Sequence, residues 1–554
     1  MDTFTNLLYA CRTGDLETVA ILLDTPNLNV NKTDEWDYSP LILASICGHY
    51  EVVELLLQRG AICDRDSFEG ERCIYGALNY KIRDLLLSYD FSKKVDINQP
   101  FASHITGIFT NNKFINKDLV IRCADKTYFV NRFLLAARSP KMMYQLNNEW
   151  HDQSETQSDY DSKSFDILLD YIYLRTDRLT LERIKGAADI AQYFELTDLE
   201  AAVSRVVDTW DEKSKSKAIH DNSFMLIEKS RVDMSNFLEK VIDSRVSVPL
   251  EFDEDVDYED IEPLNYLTNN LKSQLFISDC IPDIILSIVD ISSESIVYYP
   301  CHKSMLIRSE YFETMFNSEI FAGQNKVPIK EYDGFDILDR TIFKASELPV
   351  ISVTCTDSRV AELVLSYLYH DNVDYIPLSL TVDLLYLSDE LLVERLKSLC
   401  AVNITSKFKD FSFGEMTELK ETTGYDVFEL VRISWATRCD KLEHFTSKLI
   451  ATNLETIFHN PELSSKLHDL IEESAGRIEH RQATDTIELV DDIRYYLSKK
   501  YGVSTALLED FVPIGPSFTG VFAEDTKLRK DSLLMYSRDL EMIDTMLETL
   551  DLDA

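Results

Sequence analysis

The chain is short of positive charge. Its 554 residues include 56 lysines and arginines against 96 aspartates and glutamates, a formal net charge of −40. Such a chain is repelled by nucleic-acid phosphates and by anionic membrane surfaces, and no basic stripe offsets the repulsion. Long apolar runs are also lacking; none approaches the ~20 residues needed to cross a bilayer. The opening Met1-Asp-Thr-Phe-Thr-Asn has no basic region leading into an apolar one, so no secretory signal is expected. The ten cysteines are scattered, and no two form Cys-x-x-Cys. Most sit among apolar neighbours, as buried free thiols do in a reducing compartment. A cytoplasmic chain is expected, with the nucleus as a second location, and the Asn403-Ile-Thr sequon is read as chance. Gly-x-Gly-x-x-Gly, a phosphate loop ending in Gly-Lys-Ser/Thr, His-Glu-x-x-His and clustered metal ligands are all missing. An enzyme, a cofactor and a metal are therefore not expected. The expected partners are proteins, basic faces among them.

What is present can fold. Hydrophobic residues make up 45% of the chain, enough for three or four domains with real cores. Near the start, Leu7-Leu-Tyr-Ala10-Cys-Arg-Thr-Gly14 lines up with Leu41-Ile-Leu-Ala44-Ser-Ile-Cys-Gly48, and each is followed by a second apolar helix pattern. The second copy opens Ser39-Pro40-Leu41. Ser39 can cap the helix, Pro40 suits its first turn and Gly48 allows a sharp reversal between paired helices. A shortened third copy, Arg72 to Leu87, lacks the turn glycine. This block resembles ankyrin repeats, whose period is about 33 residues, with Ser39 and Ile42 where Thr and His are usual. It is assigned residues 1–92, as two to three repeats with the last degenerate. In that reading the hairpin residues Trp36, Tyr38 and Phe68 form a candidate recognition surface, Trp and Tyr being favourable protein-binding anchors. The same residues could instead pack on the next domain.

A longer duplication follows. One copy has Asp118 and an apolar strand, a hairpin, then Asn131-Arg132-Phe-Leu134 and Ser139-Pro140. The other has Asp283, a strand and hairpin, then His302-Lys303, Leu306, Ser309, Tyr311-Phe312 and Met315-Phe316. Later apolar helices end in Tyr171-Ile-Tyr173 and Tyr367-Leu-Tyr369. Asp118 with Arg132, and Asp283 with Lys303, place opposite charges beside each hairpin. Meeting in a partly buried pocket, each would satisfy the other, since an unpaired buried charge is costly; ordinary surface charges are the alternative. His302 has no nucleophile or acid at a recognisable spacing and is read as structural.

These two modules resemble BTB (POZ) domains, and ankyrin repeats followed by two such domains resemble the ankyrin-repeat and BTB/POZ domain-containing protein family. The second copy follows the family pattern closely, whereas the first has Asn131-Arg132 where His-Lys is usual. The organisation read along the chain is a first BTB domain at 112–208, with polar residues 147–163 as an exposed loop. A helical segment and acidic linker occupy 209–277. The run Glu251–Glu262 is read as solvated linker, or as a dock for a basic partner. A second BTB domain spans 278–402 with an insertion at 322–349, a helical BACK-like region 403–502, and a loop and acidic helix 503–554. The expected class is mainly α with small β-sheets (α+β). The resemblance implies a substrate adaptor of cullin-3-type ubiquitin ligases, in which a BTB face binds the cullin and the repeats take the substrate. Translation elongation factor 1-alpha is a partner linked to the family. The family's apolar-x-acidic cullin contact fits Trp150-His-Asp152 in the first module, with a loop anchor as the alternative for Trp150. In the second it falls on Ile320-Phe321-Ala322, without the acid. The resemblance also implies that the two BTB domains pair within one chain. A non-ligase scaffold, transcriptional or trafficking, is the alternative function.

Overall fold

A computed structural model of the chain describes residues 3–23, 30–34, 36, 38–59, 61, 73, 76–88, 100–110, 117–151, 153–158, 160–175, 187–207, 212–250, 261–371, 373, 375–481, 488–502, 523–550 and 552. The protein is mainly α with small β-sheets and divides into two units. The first holds Met1–Asp374 with Leu391–Val393; the second holds Tyr375–Glu390 and Glu394–Ala554.

The first unit opens with paired helices, Thr3–Thr13 with Leu16–Leu23 and Pro40–Cys47 with Tyr50–Gln58, then Tyr80–Ser88. Local chemistry sets the second pair. Ser39 Oγ accepts the Ile42 N–H at 3.2 Å, Pro40 occupies the first turn, and Gly48 ends the helix at φ +85°. The left-handed backbone there is what favours glycine; a Cβ would also lie 2.4 Å from Cδ2 of the exposed Leu78, a side chain that can swing aside. Leu7, Ala10, Leu41, Ala44, Val53 and Leu56 fuse the pairs into one core.

The first duplicated module has strands β1 (Leu119–Arg122), β2 (Thr127–Val130) and β3 (Glu155–Gln157), in sheet order β2-β1-β3. β1 pairs antiparallel with β2 and parallel with β3. The polar stretch 147–163 is therefore not all loop: Glu155-Thr-Gln supplies an edge strand, and the helix Ser162–Ile172 starts inside it, capped by Asp161. The helix Pro100–Thr110 also leans on this module, Thr106 donating to the carbonyls of Tyr173 and Leu174 at 3.1 Å.

The second module repeats the order. β5 (Ile284–Asp290) and β6 (Ser295–Cys301) form a hairpin, and β9 (Val350–Cys355) returns parallel to β5. Its boundaries differ from those expected. The stretch 209–277 contributes β4 (Val246–Pro249), which pairs with β6 and widens the sheet to four strands in order β4-β6-β5-β9. Helix Glu212–Asp243 stops before Val246, whose alternating half-buried pattern suits an edge strand. The insertion 322–349 holds a hairpin of its own, β7 (Ile329–Tyr332) with β8 (Phe335–Leu338). The acidic run 251–260 lies outside the described residues.

The second unit is helical: Leu378–Glu390, Glu394–Lys407, Phe413–Thr423, Val427–Ala436, Asp440–Thr452, Leu454–His459, Pro461–Arg481, Glu488–Tyr501 and Ala523–Thr549. The helices either side of 391–393 group with the C-terminal ones, on both sides of the expected boundary at 402. Phe428, Leu430, Val431, Leu442 and Leu449 are buried as their three- and four-residue spacing predicts. The C-terminal helix folds back on its unit, burying Met542, Ile543, Met546 and Leu547, with Asp539 accepting the Tyr501 hydroxyl at 2.7 Å.

Candidate protein-interaction site

The two modules share one hydrogen-bond circuit at the hairpin-to-helix junction. Asp118 Oδ1 accepts the backbone N–H of Arg132 at 2.8 Å, and Asp283 Oδ1 accepts that of Lys303 at 2.8 Å. Each carboxylate thus holds the first N–H of a helix, where negative charge is favoured. The acids expected to pair with Arg132 and Lys303 thus meet those residues through the backbone N–H. The Arg132 guanidinium turns to carbonyls, those of Asp118 at 3.3 Å, Trp150 at 2.9 Å and Gln153. In the second module the charges do feel one another. Burial raises the Asp283 carboxyl and lowers the Lys303 ammonium, and each charge opposes the shift of the other.

His302 and Asn131 occupy the same place in the circuit. The His302 N–H meets Tyr369 Oη at 3.2 Å, its Nδ1 meets the same hydroxyl at 2.8 Å, and its Nε2 lies 2.8 Å from the Cys280 carbonyl. A carbonyl can only accept, so Nε2 carries the proton and Nδ1 accepts from Tyr369. Burial, helped by the Arg340 charge, pushes His302 down to about 4, so the ring is neutral and structural. In the first module the Asn131 N–H meets Tyr173 Oη at 3.0 Å, and that hydroxyl donates to Asn131 Oδ1 at 3.0 Å. Lys117 fills the remaining space, donating to Asn131 Oδ1 at 3.1 Å and the Ile108 carbonyl at 2.7 Å. Its burial lowers the ammonium to about 7 against the pull of Asp118. Ser139 and Ser309 complete the match. Each caps the next helix, taking the N–H of Met142 or Phe312, and donates to a distant carbonyl, that of Phe194 or Leu391.

The surfaces marked in the sequence fall out unequally. Trp150 is 9% exposed, with its N–H on the Gln145 carbonyl and its own carbonyl on Arg132, so the structure makes it a loop anchor and not an exposed contact. Asp152 and Phe68 lie outside the described residues. Ile320, on the helix Glu319–Gln324, is 74% exposed, and Tyr311 on the preceding helix is 37% exposed. Phe321 packs on Phe316 with ring centroids 5.1 Å apart and planes tilted by 47°. Trp36 is 69% exposed at the repeat hairpin, where Asp34 Oδ1 accepts the N–H groups of Trp36 at 2.9 Å and Tyr38 at 2.8 Å. Tyr38 packs on the repeat core instead of presenting its ring. Two residues had no signal in the sequence. Lys117 is one. Arg340 is the other: its Nε meets Asp118 Oδ2 at 3.0 Å, and its remaining nitrogens meet the carbonyls of Pro282 at 2.8 Å and Ile281 at 3.0 Å.

A repeat stack with an exposed aromatic tip, joined to a sheet-and-helix module, defines a protein-interaction adaptor. The sequence profile of ankyrin repeats matches residues 2–95 as three copies, and that of the BTB/POZ domain matches residues 109–209. An ankyrin repeat-containing protein of Saccharomyces cerevisiae is 36% identical over 503 residues, 90% of each chain. BTB/POZ domain-containing protein 3 of Schizosaccharomyces pombe is 34% identical over 559 residues, covering 100% of this chain and 90% of that one. The chain belongs to the family of ankyrin-repeat and BTB/POZ domain-containing proteins.

Proposed function

We propose that the protein is a substrate-recognition subunit of a cullin-3-type ubiquitin ligase, acting as a non-enzymatic cytoplasmic adaptor. In this reading residues 278–402 contain a second BTB domain, and the shared circuit of Asp118, Asn131, Arg132, Ser139 and Tyr173 with Asp283, His302, Lys303, Ser309 and Tyr369 supports the duplication. The observation that carries the cullin contact is the exposure of Ile320 on the helix Glu319–Gln324, against the burial of Trp150. The repeats then present Trp36 to the substrate. Tryptophan is among the residues that most often supply the binding energy of protein interfaces.

One observation favours the second reading, a scaffold without a ligase role: Ala322 stands where the acid of the contact would be. Capture of the intact protein from cells separates the two. Recovery of a cullin with wild type, reduced at least tenfold by Ile320→Asp, supports the ligase reading. A wild-type protein that recovers its other partners but no cullin refutes it and leaves the scaffold.

A further inference from the structure

The first module's sheet has two faces, and only one is covered by its own helices. Across the β1–β2 hairpin, Ile121 pairs with Tyr128 and Val120 with Phe129. Successive residues of a strand point to opposite faces, so these two pairs face opposite ways. Tyr128 faces the module's helices, its ring 5.2 Å from Phe165 and its hydroxyl 2.9 Å from Asp166. Val120 and Phe129 face outward. Val120 is nevertheless fully buried, in a cluster with Tyr332 and Ile337. Both belong to the β7–β8 hairpin, the insertion of the second module.

The fit is polar as well as apolar. Phe335 lies 4.8 Å from Phe129, and the Leu338 N–H donates to the Lys117 carbonyl at 2.8 Å. Tyr332 Oη and Lys330 Nζ reach Ser154 Oγ at 3.3 and 3.4 Å. Behind the hairpin, Arg340 links Asp118 of the first module to the carbonyls of Ile281 and Pro282 in the second. His302 stacks on Phe133 at 4.3 Å, and His104 holds the Ser304 carbonyl at 2.6 Å. Leu338 is also part of the core over the second module's sheet, so the hairpin is built into its own module while it covers the other.

We infer that residues 325–343 are an intramolecular ligand of the first module's outer sheet face. The two modules are paired in cis, the chain is a monomer in solution, and a second copy reaches that face only when the hairpin has left it. The inference does not depend on whether the partner is a cullin.

The test uses the full chain. Light scattering should give one chain mass, 63.9 kDa, across the micromolar range. Carbodiimide should join Lys330 to Glu155, the neighbour of Ser154, in the band that migrates as a monomer. A wild-type mass about twice that, or the Lys330–Glu155 product confined to a dimer band, overturns the inference by showing pairing between chains. Ile337→Asp should remove the cross-link while keeping the helical circular dichroism, and should increase binding of an apolar dye severalfold or produce a concentration-dependent dimer. An undiminished cross-link with unchanged dye binding overturns the assignment of the hairpin as the cover. If that variant does not fold, the wild-type mass and cross-link decide the matter alone.

Discussion

Arg340→Ala is expected to loosen the junction between the duplicated modules more than any surface substitution would. The guanidinium meets one carboxylate oxygen and two carbonyls at 2.8 to 3.0 Å. The side chains of the ion pair are 9% and 6% exposed, so little water can replace what is removed. Asp118 keeps the Arg132 N–H on Oδ1, but Oδ2 loses its cation. Breaking a buried pair from one side typically costs about 3–5 kcal/mol, because the partner charge stays buried. Local hydrogen exchange is the suitable assay in a chain of several domains, where one global unfolding energy is ill-defined. The Leu338 amide, bonded to the Lys117 carbonyl, should exchange faster by a factor on the order of 10² or more. A double-mutant cycle with Asp118→Asn should show coupling of about 1–3 kcal/mol. A change below about 1 kcal/mol with additive single effects would mean that Arg340 is an ordinary surface cation, and the account of the junction would be wrong.

Acid should weaken the first unit through His302 and His104. His302, facing Arg340 and Asp118, and His104, facing Arg308, are both lowered to about 4, first by burial. An unfolded histidine takes its proton near 6.5, so between about 6.5 and 4 the unfolded chain binds more protons. The contribution is fully present above about 6.5 and falls by about 1.4 kcal/mol per histidine per pH unit on going down towards 4. Urea midpoints of the first unit measured from pH 7 to 4.5 should show this slope, and His302→Asn should reduce it; a slope indifferent to His302 would refute the assignment. Gly48→Ala puts a Cβ on a left-handed backbone and should destabilise the repeats by about 1 kcal/mol in thermal unfolding of the full chain, whereas a neutral outcome would contradict the strain assigned to that turn.

The sequence revealed features governed by near neighbours. Ser39, Pro40 and Gly48 act within one turn of the helix they bound, so their roles follow from local rules. The apolar spacing of the C-terminal helices was legible for the same reason. β3 was hidden because Glu155-Thr-Gln is a polar edge strand with only its middle residue buried, and its pairing is set by the distant β1. The partner of Asp118 was hidden more deeply, since Arg340 lies 222 residues away and no periodicity marks it. Trp150 resembled a contact, but whether its ring is exposed depends on Arg132 pulling the loop carbonyls inward. Ile320 was noted only for the acid missing beside it, and its exposure became visible with the fold.

The exchange of His302 for Asn131 has a consequence for anyone building hybrids of this chain. Each residue serves the corresponding tyrosine hydroxyl of its module, Tyr173 or Tyr369, yet only the asparagine offers a spare acceptor to an ammonium group, that of Lys117. A ring at position 131 would displace Lys117 or leave it facing an aromatic edge, and an amide at position 302 would abandon the Cys280 carbonyl. Each module has a private set of dependencies around a shared plan. Segments transplanted from one to the other are expected to work as whole junctions, and to fail as single residues.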